Sequence, residues 1–396
     1  MTAPDRVDIA VVGGGLVGAS AALAQLRAGR TVVLIEPEAP RLAEAAWDER
    51  CIGLNAASIA ILRDLGVWQR IAAEAQPIRS TVICEAGRAG SVRFTAEEAG
   101  LEALGYNTPL RAIHGGLLAA LEGTDCALRR ATVVRHQAED RHVRLTLDDG
   151  QSLQARLVMA CDGTHSALRQ ACAIPIEAHD YAQTALVTTV DVERGHDDCA
   201  WERFTPLGPL AVLPRGEKRC TVVWTQPHGH TEAVAALDNE AFCAALQGAF
   251  GRRLGALSNA GRRMRWPLRR VYARDVIAPR LLLAGNAAQT LHPVAAQGFN
   301  LGLRDCATAA AVAAGIEDPG SSEALQRYAA LRADDRAAVA RFTDQLVRLF
   351  SNQLPVLSGL RHLGLGGLAI TPALYRSVMF QNLGLQALAR LQAEAA

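Results

Sequence analysis

Between Leu281 and Asp305 lie the residues best placed to do chemistry. A strand predicted over Leu281 to Ala284 runs into a small-residue turn at Gly285 and Asn286. His292-Pro293 and Gln297-Gly298 then lead into a helix predicted to start at Phe299, with Asn300 in its first turn. Backbone N–H groups at a helix start lack partners inside the helix, and the helix dipole adds partial positive charge there. Such a segment favours an anion without saying which one.

A second glycine-rich element stands almost at the other end of the chain. The apolar run Val7 to Val12 precedes Gly13-Gly14-Gly15-Leu16-Val17-Gly18, and a helical run from Ala19 to Ala28 follows, closed by Gly29. Thr31 to Ile35 reads as the next strand, ending at Glu36 and stopped by Pro37. Here the dinucleotide fingerprint stands in the strand–turn–helix–strand context it requires. Gly13 allows the tight turn, Gly15 lets a pyrophosphate approach the backbone, and Gly18 lets helix and strand pack closely. Glu36 is positioned to bind a ribose with a free 2′-hydroxyl, which suits FAD or NAD.

These two elements must be carried by a large fold. The 396 residues suffice for two or three domains, and half of them are apolar. A formal net charge of +1 implies neither nucleic acid nor another polyanion as partner. Lys218 is the single lysine; arginine supplies the remaining positive charge. The nine cysteines are scattered without a CxxC pair, which fits free thiols in a reducing cytoplasm and offers no metal or dithiol pattern. The chain enters its first strand almost at once, so no cleavable signal peptide is expected. The apolar stretch His362 to Tyr375 is too short and too rich in Gly and Pro for a membrane span.

The pattern predicts an α/β fold with a discontinuous nucleotide-binding domain over 1–75, 106–178 and 272–345. Its pieces include the Asp48-Glu49-Arg50 segment, a helix over Asn55 to Leu65, another over Arg111 to Leu121, and a strand from Leu157 into a tight Asp162-Gly163 turn. Alternating runs at Thr184 to Val192, Leu210 to Leu213 and Cys220 to Thr225 predict a mainly antiparallel sheet, interrupted by one helix over Asn239 to Phe250. With 76–105, the 179–271 stretch forms the expected substrate domain. A helical C-terminal region over 346–396 follows.

Together these motifs resemble the class A flavoprotein hydroxylases built on the para-hydroxybenzoate hydroxylase fold. Three match in order: the N-terminal glycines with Glu36, the Asp162-Gly163 element, and the strand-to-helix segment 284–302. The continuation His292-Pro293 to Gln297-Gly298, then Asn300-Leu301-Gly302, is similar to the FAD-dependent hydroxylases of ubiquinone biosynthesis. The wider family carries Asp where this chain has Asn286, a residue that still offers a neutral hydrogen bond to the flavin ribityl chain. Asn at that position, with the run Trp201 to Pro214, resembles the methoxyphenol branch.

The resemblance implies FAD as cofactor, held by Gly13, Gly15, Leu16, Val17, Gly18, Glu36, Arg50, Arg111, Val134, Asp162, Gly285, Asn286, Gln297, Gly298, Phe299 and Asn300. It implies oxygen transfer from O₂ to a polyprenylated phenol through a flavin C4a-hydroperoxide, in a site kept dry. Pro293 and the strand Leu210 to Leu213 are the expected shields, with Phe204, Leu210 and Val212 lining the substrate. His292 is a candidate for acid–base chemistry, although a His before Pro in a turn also serves as structure. Electrons are expected from NAD(P)H bound near Asp162-Gly163 or from a separate electron-transfer protein, since no second GxGxxG is present. The resemblance extends to assembly with other ubiquinone-biosynthesis proteins.

Other readings stay open at this stage. The run Arg262 to Arg270 suits anionic lipid, a nucleotide phosphate or a solvated strand face. Phe342 to Leu391 suits either peripheral contact with the cytoplasmic membrane or plain helix packing. Trp201 and Trp224 are candidates for the pocket or the core. A disulfide reductase would need a cysteine pair, and a flavin halogenase a better-placed lysine than Lys218. A non-catalytic escort for a prenylated partner would lack tight flavin binding.

Overall fold

The computed structural model describes residues 6–38, 50–88, 90–350 and 372–395. Asp48 and Glu49, and the stretch 351–371 that holds much of His362 to Tyr375, lie outside the described residues.

Two large sheets organise the chain. In the eight-stranded sheet, Arg6–Val12 sits between Ser152–Ala160 and Val32–Ile35, all parallel. Leu281–Leu283 adds in parallel beyond Ser152–Ala160, and Ala127–Arg129 beyond Val32–Ile35. A parallel sheet is buried on both faces, and these strands are correspondingly continuous apolar runs. Ile9, Ala10, Val11, Val33, Val158, Met159 and Leu281 are fully buried.

The register brings the ends of three separate strands to one edge. Val12 pairs with Ala160 and with Ile35, and Ala160 pairs with Leu283. The turns that follow (Gly13–Gly15, Asp162-Gly163 and Gly285-Asn286) therefore emerge side by side, where open α/β sheets bind ligands. The first helix, Leu16–Arg27, and the helix Gln297–Ala314 pack against each other behind that edge.

In the nine-stranded sheet, Ile176–Val192 lies between Met264–Ala273 and Arg219–Pro227. Gly208–Arg215, Cys199–Thr205, Ser80–Glu85 and Ser91–Thr95 continue it in that order. All these pairs are antiparallel except Cys199–Thr205 with Ser80–Glu85. One face carries a core of Leu186, Trp201, Leu210, Val212, Val222 and Trp224 under the helix Asn239–Phe250. A further helix, His228–Ala236, corrects the expectation of a single interruption. Its sequence, His228-Gly229-His230-Thr231-Glu232, has little apolar periodicity to announce it.

The last described helices come back onto the molecule. Pro372–Leu383 packs Met379 and Leu383 against Val92, Phe94 and Leu104 beside the second sheet. Tyr375 stacks on Phe94 with ring centroids 4.6 Å apart and donates its hydroxyl to Arg93 O at 2.8 Å. Among the described residues no helix is long and apolar enough to cross a membrane.

Candidate active site

The glycine fingerprint is shaped by close approach. A Cβ on Gly18 would lie 1.7 Å from Gly13 O, so only glycine lets the first helix start against the turn. By contrast, a Cβ on Gly15 would meet nothing within 4 Å, and the same holds at Gly163 and Gly298. These three backbone stretches face open space. Glu36 returns its carboxylate to the turn, accepting the Gly14 N–H at 2.5 Å. His114 Nε2 lies 3.3 Å from Gly14 O. Both facing helix starts lack a side-chain cap: Gly15 precedes one, and Ala296, in a left-handed conformation, precedes the other. Their first N–H groups remain available to an anion.

The two distant segments meet at Val17. Gly285 has φ +59°, and a Cβ there would come within 2.7 Å of the Val17 side chain; one on Gly302 would come within 2.8 Å. The thiol of Cys306 donates to Val17 O at 3.4 Å. Asp162 accepts Leu168 N–H with one carboxylate oxygen at 3.2 Å, while the other is buried without a partner among the described residues. Asn286 is exposed at the rim. Open space over three glycine stretches, two uncapped helix starts and an orphaned acceptor fit an extended dinucleotide such as FAD.

A charged network supports this edge from behind. The buried Asp305 carboxylate accepts Gly285 N–H at 3.0 Å, Gln289 Nε2 at 2.8 Å and Arg332 Nε at 2.7 Å. Arg332 and Arg304 both bind Asp335, at 2.8 and 2.7 Å. Burial pushes the Asp335 carboxyl up, but Arg304 and Arg332 outweigh it and hold it below its usual value. Arg336 reaches Gln289 Oε1 at 2.7 Å, and Tyr328 donates to Leu283 O at 2.8 Å. All of these arginines but Arg304 come from the helix Ser322–Phe350, which thus fixes the Gly285 turn.

Beside the helix start lies a cavity of about 410 Å³. Thr81, Ile83, Phe94, Phe204 and Leu213 line it from the second sheet, and Phe342, Leu346, Met379 and Leu383 from the late helices. Ala295, Ala296, Gln297 and Asn300 close the end next to the 284–302 segment. Asn300 ties that end together, accepting Asn55 N–H at 3.1 Å and donating to Gly53 O at 2.8 Å. Gln297 Oε1 and Asn382 Oδ1 are buried there without partners among the described residues.

Glu202 is the only ionisable side chain among the described residues lining this apolar space. Burial pushes its carboxyl up to about 7, against a weaker opposing hydrogen bond from the backbone N–H of Ala295. Ala295 and Ala296 both have positive φ, 61° and 50°. Left-handed non-glycine residues cost energy and persist where their surroundings over-determine them. Nothing in the sequence motifs singles out Glu202. One signal was available: a lone acid in the strand Cys199–Thr205, two residues from Phe204 and so on the same face.

The expected substrate residues divide. Phe204 lines the cavity, but Leu210 and Val212 do not. Arg203 pairs with Leu210 and Trp201 with Val212, which turns both apolar residues to the opposite face and into the Trp201–Phe242 core. Leu213, one residue on, is the lining residue. Trp224 sits in that core, with its ring 6.1 Å from Phe242; Trp201 borders the cavity while stacking edge-on against Phe250.

His292 is buried and folded into its own turn. Its Nδ1 accepts Val294 N–H at 3.1 Å and its ring stands edge-on to Tyr181 at 5.1 Å. Burial pushes its pKa down to about 4, so it is neutral near pH 7, and it does not line the cavity. Pro293 is exposed beside it and is also absent from the lining. Phe299 is partly buried against the main core. Arg50 lies over Trp266 with its guanidinium 4.8 Å from the ring, and Arg111 pairs with Glu74 at 2.7 Å. Val134, on the strand Val133–Ala138, is 61% exposed. In the Arg262 to Arg270 run, Arg263 binds Ala235 O, Arg269 pairs with Asp180 and Arg270 with Glu177.

Fold and site together define a FAD-dependent monooxygenase. The FAD binding domain family matches residues 6–343, and the fold superposes on p-nitrophenol 4-monooxygenase PnpA from Pseudomonas putida. That match has a TM-score of 0.77 at 18% identity over 97% of this chain and 99% of the other. Ubiquinone hydroxylase UbiL of Rhodospirillum rubrum is 37% identical over 391 residues, covering 96% of this chain and 90% of its own. The 3-demethoxyubiquinol 3-hydroxylase of Escherichia coli is 33% identical over 388 residues, covering 96% and 98%. The chain belongs to the FAD-dependent hydroxylases of ubiquinone biosynthesis.

Proposed function

We propose that the chain hydroxylates the ring of a polyprenylated methoxyphenol on the route to ubiquinone. The observation that carries this is the apolar cavity sharing Ala295, Ala296, Gln297 and Asn300 with the segment that faces the dinucleotide crevice. Its volume falls within the roughly 300–1,000 Å³ of small-molecule sites, and a few polar groups in an apolar wall fix orientation. Gln297 Oε1 and Asn382 Oδ1, without partners among the described residues, offer acceptors for ring hydroxyls.

FAD supplies the activation of O₂ and the oxygen transfer when bound. The chain's own residues hold it in this reading. Backbone N–H groups after Gly15 meet the pyrophosphate, Glu36 binds a ribose hydroxyl, and Val134 lies along the adenine. Arg50, Arg111, Asp162 and Asn286 contact the remainder, with Gly285 and Gly298 to Asn300 along the flavin. The uncapped start at Gln297 stabilises negative charge on the reduced ring. Phe204, Leu213, Phe342 and Met379 exclude water, which protects a reactive oxygen donor from discharge.

Deletion of the gene, followed by mass spectrometry of the quinone precursors, tests the reading. The expected result is accumulation of a prenylated methoxyphenol lacking one ring oxygen. An unchanged quinone pool contradicts it.

A further inference from the structure

We propose that Glu202 is the general base that takes the proton of the substrate's ring hydroxyl; this rests on the reading of the substrate as a phenol. An electron-rich ring accepts oxygen para to its hydroxyl faster as that hydroxyl loses its proton, so the site needs a proton acceptor inside a dry cavity. Glu202 is the one ionisable group lining that cavity among the described residues. It also stands at the right end. The Ala295 N–H that it accepts belongs to the turn leading directly into Gln297 and the crevice-facing helix start.

Beyond the Ala295 N–H, the neighbouring elements present no charged partner to the carboxylate among the described residues lining the cavity. On the strand Ser80–Glu85, Ile83 lies opposite it, and Glu85, next on that face, pairs with Arg88 at 3.8 Å. Across the other flank its neighbour is Ala211. The helix Ser322–Phe350 presents Phe342 and Leu346, while Asp344 accepts the Tyr181 hydroxyl at 3.1 Å. The C-terminal helix presents Val378, Met379, Asn382 and Leu383. Arg203 follows Glu202 on the opposite face of the strand. With no cation among these cavity-lining groups, burial alone raises the Glu202 carboxyl to about 7, where a base is useful at neutral pH.

The proton balance is simple. The phenolic O–H bond breaks, an O–H bond forms on Glu202, and the phenolic oxygen's electron pair moves into the ring. The ring's para carbon takes the terminal OH of the O₂-derived hydroperoxide that FAD would supply; the O–O bond of that donor would break, its remaining oxygen leaving with the electron pair. The resulting dienone loses the hydrogen of the attacked carbon as a proton, which neutralises the oxygen that left the donor. Glu202 then returns its proton to the first oxygen, restoring the aromatic ring.

The test uses FAD-loaded enzyme, its electron donor and a geranylated methoxyphenol as probe. Glu202→Gln should lower kcat on the order of 10²-fold or more, with KM and FAD content nearly unchanged. Wild-type kcat/KM should rise with pH through about 7, and E202Q should lose that rise. Glu202→Asp should restore part of the rate. Fluorinated probes with more acidic hydroxyls should narrow the gap between wild type and E202Q. Should E202Q lose FAD, the wild-type pH limb and the partial rate of Glu202→Asp decide, and absence of that limb overturns the assignment. Wild-type turnover with an unaffected E202Q removes Glu202 and leaves the proposed function standing. A wild type that neither binds nor hydroxylates any prenylphenol overturns both.

Discussion

The crevice and the cavity lie side by side and are built on opposite principles. The crevice is made of backbone: Gly13, Gly15, Gly18, Gly163, Gly285 and Gly298 shape it, and two uncapped helix starts give it its charge preference. The cavity is made of side chains from the second sheet, the 294–300 segment and two late helices. Backbone requirements leave a strict mark on a sequence, because few residues but glycine tolerate a 1.7 Å approach or φ near +60°. Apolar lining leaves almost none, because Ile, Leu, Phe and Met serve equally well in a core.

Substitutions in each region should therefore fail differently. The largest effect is expected at Gly18→Val, whose side chain would collide with Gly13 O. Purified protein should lack FAD absorbance, and retention of stoichiometric flavin would break the claim that this approach shapes the crevice. Next comes Arg332→Ala, which strands the buried Asp305 beneath the Gly285 turn. Removing one partner of a buried ion pair costs about 3–5 kcal/mol, to be read from denaturant unfolding. Weaker FAD binding should accompany that loss.

A paired test sharpens the contrast within the second sheet. Leu210→Ala empties a fully buried core position and should cost about 2–5 kcal/mol while leaving KM for the phenol unchanged. Met379→Trp, facing the cavity, should raise that KM on the order of tenfold, equivalent to about 1.4 kcal/mol. The reverse pattern would place the substrate on the other face of the sheet. The smallest effect is expected at His292→Gln. Loss of a true acid–base group costs about 10²–10⁴-fold. A fall in kcat below about tenfold, with an unshifted pH profile, therefore identifies His292 as a turn residue.

What was legible follows the same division. The first strand, helix and second strand, the Asp162-Gly163 turn and the helix after Gln297 were readable to within a few residues, because glycine and apolar periodicity marked their limits. Phe204 stands in the wall of the cavity. Leu210 and Val212 belong to the other face, since strand parity depends on cross-strand register that one sequence does not display. Met379 and Phe342 could not be found, as their helices return to the cavity from far along the chain. The Asp305–Arg332–Asp335–Arg304 network was also unseen, although Arg332 and Arg336 at i, i+4 on an otherwise amphipathic helix gave a hint. Glu202 was hidden by its apolar neighbours, and burial among those neighbours is what raises its carboxyl.

One titration tests most directly whether the cavity serves the crevice. Bound FAD is followed by its visible spectrum while a prenylated methoxyphenol is added to wild type and to Met379→Trp. The expected result is a saturable spectral change in wild type. Its midpoint should weaken on the order of tenfold at equal flavin content once the larger indole fills the cavity. An identical change in both proteins, or none in either, would separate the cavity from the flavin and contradict the claim.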